Sequence, residues 1–277
     1  MAHPLDSSFH LLEQTRATLD GLRQLIHAWY ASEPFESVVA PVKDTPYSAI
    51  SMRVKIPIPT SIPLAVRSAA HDLRSALDHA GYACAQASGI AVPKKTYFPF
   101  AKTKAEFDKL RTGNSKDIPE PVLTYMLDCK AHDELDGNRL LYALATLRNI
   151  NEHRYLVPCS HGASLLNVRS RIDGQILLKY PEGLNDCMFE PVLILPPRWS
   201  EESQELLFLL FDPRLGAQPE VSMKTYIGFG EGIFLEHQEI GGYLHPMTEL
   251  VDEILRKTLD LADQGGLFPK AGSIALS

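Results

Sequence analysis

A pattern of arginine, carboxylic acid and histidine occurs twice in this chain of 277 residues, in segments 73–79 and 147–153. Each copy has a leucine, an arginine, a small polar residue, an aliphatic residue, one variable residue, an acid and a histidine. Arginine binds phosphate oxygens through forked hydrogen bonds, and histidine, with an ordinary pKa of about 6.5, serves as general acid or base. These residue types together can therefore bind and cleave a phosphodiester.

The same residues can also stabilise a helical core without doing chemistry. On an α-helix, a residue four positions after another lies roughly 40° further round the axis, on the same face. The spacing therefore predicts the ion pairs Arg74–Asp78 and Arg148–Glu152. The histidine, five positions after the arginine, lies about 140° away on a neighbouring face. The two interpretations are a polar groove in which His79 and His153 meet, and a purely structural pair of helices.

Hydrophobic periodicity predicts the elements that position these residues. Both copies fall in amphipathic helices, predicted at 64–88 and 136–157, with Asp136 as N-cap and Pro158 as the stop of the second. We predict a single α+β domain over 1–277, a helical bundle packed beside an antiparallel β-sheet. Its helical core covers about 64–158 with 7–31 and 245–263, and its strands fall at about 36–57 and 163–236.

Composition limits the classes of function. A net charge of −7 and an apolar fraction of 45% predict a globular protein without a broad phosphate-binding face, although a small basic cleft is compatible with them. The most apolar stretch, Leu206 to Phe211, is too short to cross a bilayer, and the first residues have no secretory pattern. Four widely spaced cysteines predict reduced, mostly buried thiols, so we expect a cytoplasmic protein that is not associated with a membrane.

The second copy, from Arg148 to His153, resembles the signature of HEPN domains, and the first copy, from Arg74 to His79, is a looser match. More broadly, the chain resembles a group of uncharacterised bacterial and phage-borne proteins in Leu77-Asp78-His79 with Tyr82, in Phe98-Pro99-Phe100 and in Asn151-Glu152-His153-Arg154. The resemblance covers about residues 64–158. It implies a helical bundle that is either a metal-independent endoribonuclease, working as a dimer, or an inactive relative that serves as a binding module.

The resemblance also implies roles for particular residues. His153 would act as general base or acid on the RNA, Arg148 would stabilise charge on the phosphate and Asn149 would orient the scissile group. Arg74 and His79 would contribute the corresponding groups from the first copy. On this interpretation the protein is an RNA-directed module of bacterial defence or stress response. It needs no metal or other cofactor, and its partners are RNA and a second copy of itself.

Two alternatives stay open at the level of sequence. One is a non-catalytic binding or scaffold protein in which the arginine–acid–histidine sets are structural. The other is a metal-dependent phosphohydrolase of the HD type, suggested by the dipeptides His71-Asp72 and His132-Asp133, with His27 and Asp78 as further ligands.

Overall fold

A computed structural model describes residues 3–153, 157–172, 175–179, 188–189, 192–200, 205–215, 218–230 and 233–268. Its contacts divide the chain into two compact units. One consists of residues 1–25, 60–159 and 229–277 and is mainly helical, and the other consists of residues 26–59 and 160–228 and is mainly strands. The α+β class is confirmed, whereas the extent of the single domain stays a prediction.

The described part of the chain contains six α-helices. They are α1 (Asp6–Ala31), α2 (Ser61–Ala87), α3 (Lys104–Phe107), α4 (Glu120–Asp128), α5 (Arg139–His153) and α6 (Ile240–Gln264). The four long helices α1, α2, α5 and α6 correspond to the predicted ones, whereas α3, a following 3-10 turn (Leu110–Thr112) and α4 are short elements within the predicted helical core.

Helix α2 lies at the centre of the helical unit. It packs against both α5 and α6. Leu73 and Leu77 of α2 are fully buried, as are Leu144 of α5 and Val251 of α6. Complete burial of such side chains contributes about 1.5–3 kcal/mol each to folding, so apolar contact fixes the faces that α2 and α5 turn toward each other.

Two helix ends differ from the prediction. The side-chain oxygen of Asn138 accepts hydrogen bonds from the backbone amides of Leu140 and Leu141, both at 3.2 Å, so Asn138 caps α5 and the predicted cap Asp136 is wrong. Helix α6 begins at Ile240 rather than near 245 and contains Pro246 in its interior. The buried side chains of Ile240 and Leu244 explain the earlier start, because they extend the apolar face of α6.

The second unit is built from antiparallel strands. These are β1 (Phe35–Pro41), β2 (Ser48–Val54), β3 (Cys159–Ile172), β4 (Gln175–Lys179), β5 (Met188–Phe189), β6 (Val192–Ser200), β7 (Glu205–Phe211) and β8 (Gln218–Phe229). One sheet has the order β1-β2-β7-β6-β5, and the other has the order β4-β3-β8. The strands predicted at about 36–57 form the hairpin β1–β2, which joins a later strand through the pairing of β2 with β7.

A break in the β6–β7 register lies between Ile194 and Arg198. Pro196 and Pro197 occupy this position, and proline cannot donate a hydrogen bond to a neighbouring strand. On the β2–β7 side, Arg53 Nη2 lies 2.5 Å from Glu205 Oε1, and the Ser51 hydroxyl donates to Glu205 Oε2 at 2.7 Å. These hydrogen bonds lower the pKa of Glu205 and connect the hairpin to the rest of the sheet.

Candidate functional site

Both arginines of the repeated pattern bind the same carboxylate. Arg74 Nε lies 3.2 Å from Asp78 Oδ2 within α2, and Arg148 Nη1 reaches the same oxygen from α5, also at 3.2 Å. The side chain of Asp78 is 13% exposed, that of Arg74 11% and that of Arg148 25%. The structure thus brings the two copies together through a largely buried triad of two cations and one anion.

Asp78 also anchors the aromatic segment, residues 97–100. Its Oδ1 atom accepts a hydrogen bond from the backbone amide of Phe98 at 2.9 Å, and the Phe98 side chain is only 1% exposed. The Arg74 guanidinium lies 3.6 Å above the centre of the Phe100 ring. Arg74 is therefore held by the carboxylate and by a cation–π contact, and the aromatic segment is fixed to α2.

The two predicted ion pairs have different outcomes. The pair Arg74–Asp78 is present, as the spacing of four residues predicts. Arg148 contacts Asp78 of the other helix, and the side chain of its predicted partner, Glu152, lies outside the described part of the structure. Asp78, the acid of the first copy, consequently forms ion pairs with the arginines of both copies.

The other predicted site residues lie in different surroundings. His79 is exposed, one residue after the triad's carboxylate, and Asn149 is exposed on α5. For His153 the structure describes the backbone, at the last residue of α5, and its side chain lies outside the described residues. The predicted meeting of His79 with His153 therefore stays a prediction.

His79 and Asp78 line a cavity of about 780 Å³ on the outer side of α2. Tyr82 and Gln86 continue this wall along the helix, at spacings that place them on the His79 face. A second wall comes from the segment 93–97, through Pro93, Lys94, Thr96 and Tyr97, and Pro4 and Ser7 complete the lining. Tyr82 is 40% exposed and Tyr97 52%, so the cavity presents aromatic surface to solvent. Sequence reasoning did not assign these tyrosines to the site, although the spacing of three residues between His79 and Tyr82 is a signal for a shared face.

The cavity wall formed by residues 93–97 is tightly attached. Asp117 Oδ2 accepts hydrogen bonds from the backbone amides of Lys94 and Lys95, both at 3.0 Å, and these bonds lower the pKa of Asp117. The Ser115 hydroxyl donates to the Tyr97 carbonyl oxygen at 2.6 Å. These hydrogen bonds therefore fix the position of this wall.

Gly81 explains how closely this wall approaches α2. A Cβ atom at this position would overlap the carbonyl oxygen of Thr96 and lie 3.0 Å from the Ile118 side chain. Only glycine allows the backbone of residue 96 to lie directly on the helix.

No group of three or more histidine, cysteine, aspartate or glutamate side chains suited to a metal occurs among the described residues. Of the residues suggested for an HD-type site, Asp78 is engaged by both arginines, and His132 is 1% exposed with its ring 5.1 Å from that of Phe107. His71 is exposed, and burial raises the pKa of its neighbour Asp72. The HD hypothesis gains no support from these positions.

The described cysteines lack the properties of nucleophiles. Burial raises the pKa of Cys84 and that of Cys159 to about 12, and that of Cys129 to about 11, so their thiols stay protonated near neutral pH. All three are free thiols, and Cys187 lies outside the described residues. In the described part of the chain, every helix is too short or too polar to cross a membrane.

Comparisons with protein-family models, with curated proteins and with solved structures found no match to this chain.

Proposed function

We propose that this protein is an RNA-directed module with a HEPN-like helical core, and that it binds RNA without cleaving it. In this proposal the arginines of the repeated pattern are structural. The observation that carries it is the convergence of Arg74 and Arg148 on Asp78. A phosphate that approached either guanidinium would have to compete with the Asp78 carboxylate, which already binds both of them.

The local distribution of charge supports RNA as the partner. The chain as a whole has a net charge of −7, yet residues 91–120 carry seven lysines and arginines against four acids. This basic segment includes the cavity wall of residues 93–97. A local positive region supplies the sequence-independent attraction that nucleic-acid binding requires.

A metal-independent endoribonuclease is the second candidate. It is favoured by His79, which is exposed beside Asp78, and by Arg148, whose side chain is one-quarter exposed. In this alternative Arg148 would bind the phosphate, Asn149 would orient it and a histidine would move the proton. The HEPN resemblance further implies a homodimer, which a light-scattering mass of twice 30.8 kDa would support.

One experiment separates these candidates. End-labelled single-stranded RNA is incubated with the wild-type protein in EDTA, and both binding and strand cleavage are followed. We expect binding with intact RNA, because the Asp78 carboxylate already binds both guanidinium groups. The variants Asn149→Ala and His153→Ala test the catalytic assignment, and Asn149→Ala in particular replaces an exposed side chain.

Each alternative result has a defined meaning. Cleavage by the wild type that disappears in His153→Ala would replace the binding proposal with the nuclease. Cleavage that requires a divalent metal would favour the phosphohydrolase. If the protein neither binds nor cleaves RNA, the RNA-directed function itself is wrong.

A further inference from the structure

The cavity beside α2 has the features of a ligand site. Its volume of about 780 Å³ falls within the range of small-molecule sites, and its walls combine aromatic rings with a few polar groups. We propose that it binds one unpaired nucleotide of an RNA strand, with the base against Tyr82 and Tyr97 and the phosphate near Lys94 and His79. This inference rests on the proposed RNA-directed function and names its binding site and the form of RNA that it takes.

The two tyrosines indicate a flat, aromatic ligand. Both rings line the cavity, and 40% of Tyr82 and 52% of Tyr97 is exposed. Aromatic side chains in this situation stack with unpaired bases, because every base presents a π-face. A base in a duplex is already stacked on both sides, so a single-stranded segment fits this surface better than a double-stranded one.

Polar groups of the cavity match the remaining parts of a nucleotide. Lys94 and His79 are both exposed at the cavity and supply a cation and a hydrogen-bond donor for a phosphate. Gln86 lines the same wall, and its amide can both donate to and accept from the edge of a base. Asp78 also borders the cavity, but two arginines neutralise its charge, so it opposes an anion less than a free carboxylate would.

Hydrogen bonds also hold the second wall of the cavity in place. The amides of Lys94 and Lys95 are held by Asp117, the amide of Phe98 is held by Asp78 and the carbonyl of Tyr97 is held by Ser115. A preformed wall lowers the entropy lost when a ligand binds. Asp78 thereby positions Tyr97, because it binds the backbone amide of the next residue, Phe98.

The test is fluorescence anisotropy with a labelled eight-nucleotide single-stranded RNA, with a twelve-base-pair RNA duplex as competitor. We expect Tyr97→Ala and Tyr82→Ala each to weaken binding of the single strand about fivefold to a hundredfold, as loss of one stacking contact does. Tyr47→Ala is the matched control, because Tyr47 is also a partly exposed tyrosine, at 36%, but lies in the strand unit. Lys94→Gln should make the dependence of RNA affinity on salt concentration weaker, by an amount that corresponds to about one phosphate contact. Lys257→Gln, which removes an exposed lysine outside the cavity, should leave this dependence unchanged.

The outcomes distinguish this inference from the function on which it rests. If the wild type binds the single strand and both tyrosine variants bind it as tightly as Tyr47→Ala, the site is wrong while RNA binding stands. Tighter binding of the duplex than of the single strand would likewise overturn the site. If the wild type binds neither RNA, the RNA-directed function fails and the nucleotide site fails with it.

Discussion

Replacement of Asp78 by asparagine tests whether the triad holds the helical unit together. The substitution Asp78→Asn preserves size and leaves an oxygen that can accept from the Phe98 amide, but it removes the charge that both arginines share. A hydrogen bond to a charged group contributes about 1.5–3 kcal/mol and one between neutral groups about 0.5–1.5 kcal/mol. The difference is roughly 1 kcal/mol or more for each arginine.

Loss of the ion pairs with Asp78 adds to this cost. Removing one partner of a buried ion pair costs about 3–5 kcal/mol when the other charge stays buried. This applies to Arg74, at 11% exposure, more than to Arg148, at 25%, since solvent screens the more exposed cation. We therefore expect Asp78→Asn to lower the free energy of unfolding by about 3 kcal/mol.

Urea unfolding followed by far-UV circular dichroism measures this change in the helical signal. Asp20→Asn is the matched control, because Asp20 is exposed on α1 and its replacement should change stability by less than about 0.5 kcal/mol. The double variant Asp78→Asn with Arg148→Met should be less destabilised than the sum of the single variants, since each single variant already removes the contact between these two residues. Equal stability of Asp78→Asn and Asp20→Asn, or strict additivity in the double variant, would refute the structural role of the triad.

Three further predictions follow from other contacts. Gly81→Ala should destabilise the protein by about 1–3 kcal/mol in thermal unfolding because its Cβ overlaps Thr96, whereas Gly21→Ala, with open space around it, should stabilise α1 by about 0.5–1 kcal/mol. The pKa of Asp117 is lowered in the folded state, so its ionised carboxylate stabilises the fold above pH 3.8, its ordinary pKa, and this stabilisation is lost as pH falls through the lowered pKa. The free energy of unfolding of Asp117→Asn, measured as a function of pH, should lack this acid-dependent loss. Burial lowers the pKa of His161 from 6.5 to about 4. Between these values the unfolded chain binds a proton that the folded protein does not, so the urea midpoint should fall as pH drops from 6.5 to about 4. In His161→Phe the urea midpoint should not show this dependence on pH.

Residue spacing along the chain predicted the features that depend only on residues close in sequence. The spacing of apolar residues predicted α2 and α5, and the spacing of four residues predicted the pair Arg74–Asp78. The contact of Arg148 with Asp78 was missed, because the same rule points to Glu152 on its own helix. Which carboxylate an arginine reaches depends on how α2 and α5 pack, and the pattern of one helix does not contain that information.

The cavity was missed for a related reason. Its second wall is an irregular segment whose position depends on hydrogen bonds to Asp117 and Ser115, about twenty residues further along the chain. Gly81 within a helix was a usable signal, because glycine lowers helix stability and its presence often reflects a close backbone approach. The two-residue strand β5 gave no pattern long enough to identify.

Asp78 and His79, which are adjacent in the first copy, have different roles in this proposal. Successive residues of an α-helix lie about 100° apart, so Asp78 turns toward the bundle and His79 toward solvent at the cavity. A repeated arginine–acid–histidine pattern can therefore be structural in its acid and functional in its histidine, and the two interpretations of the sequence are not exclusive. His79→Ala should then weaken RNA binding without lowering the free energy of unfolding, whereas Asp78→Asn should lower the free energy of unfolding, because it removes the charge that both arginines share. A His79 variant that loses stability but binds RNA normally would contradict this division.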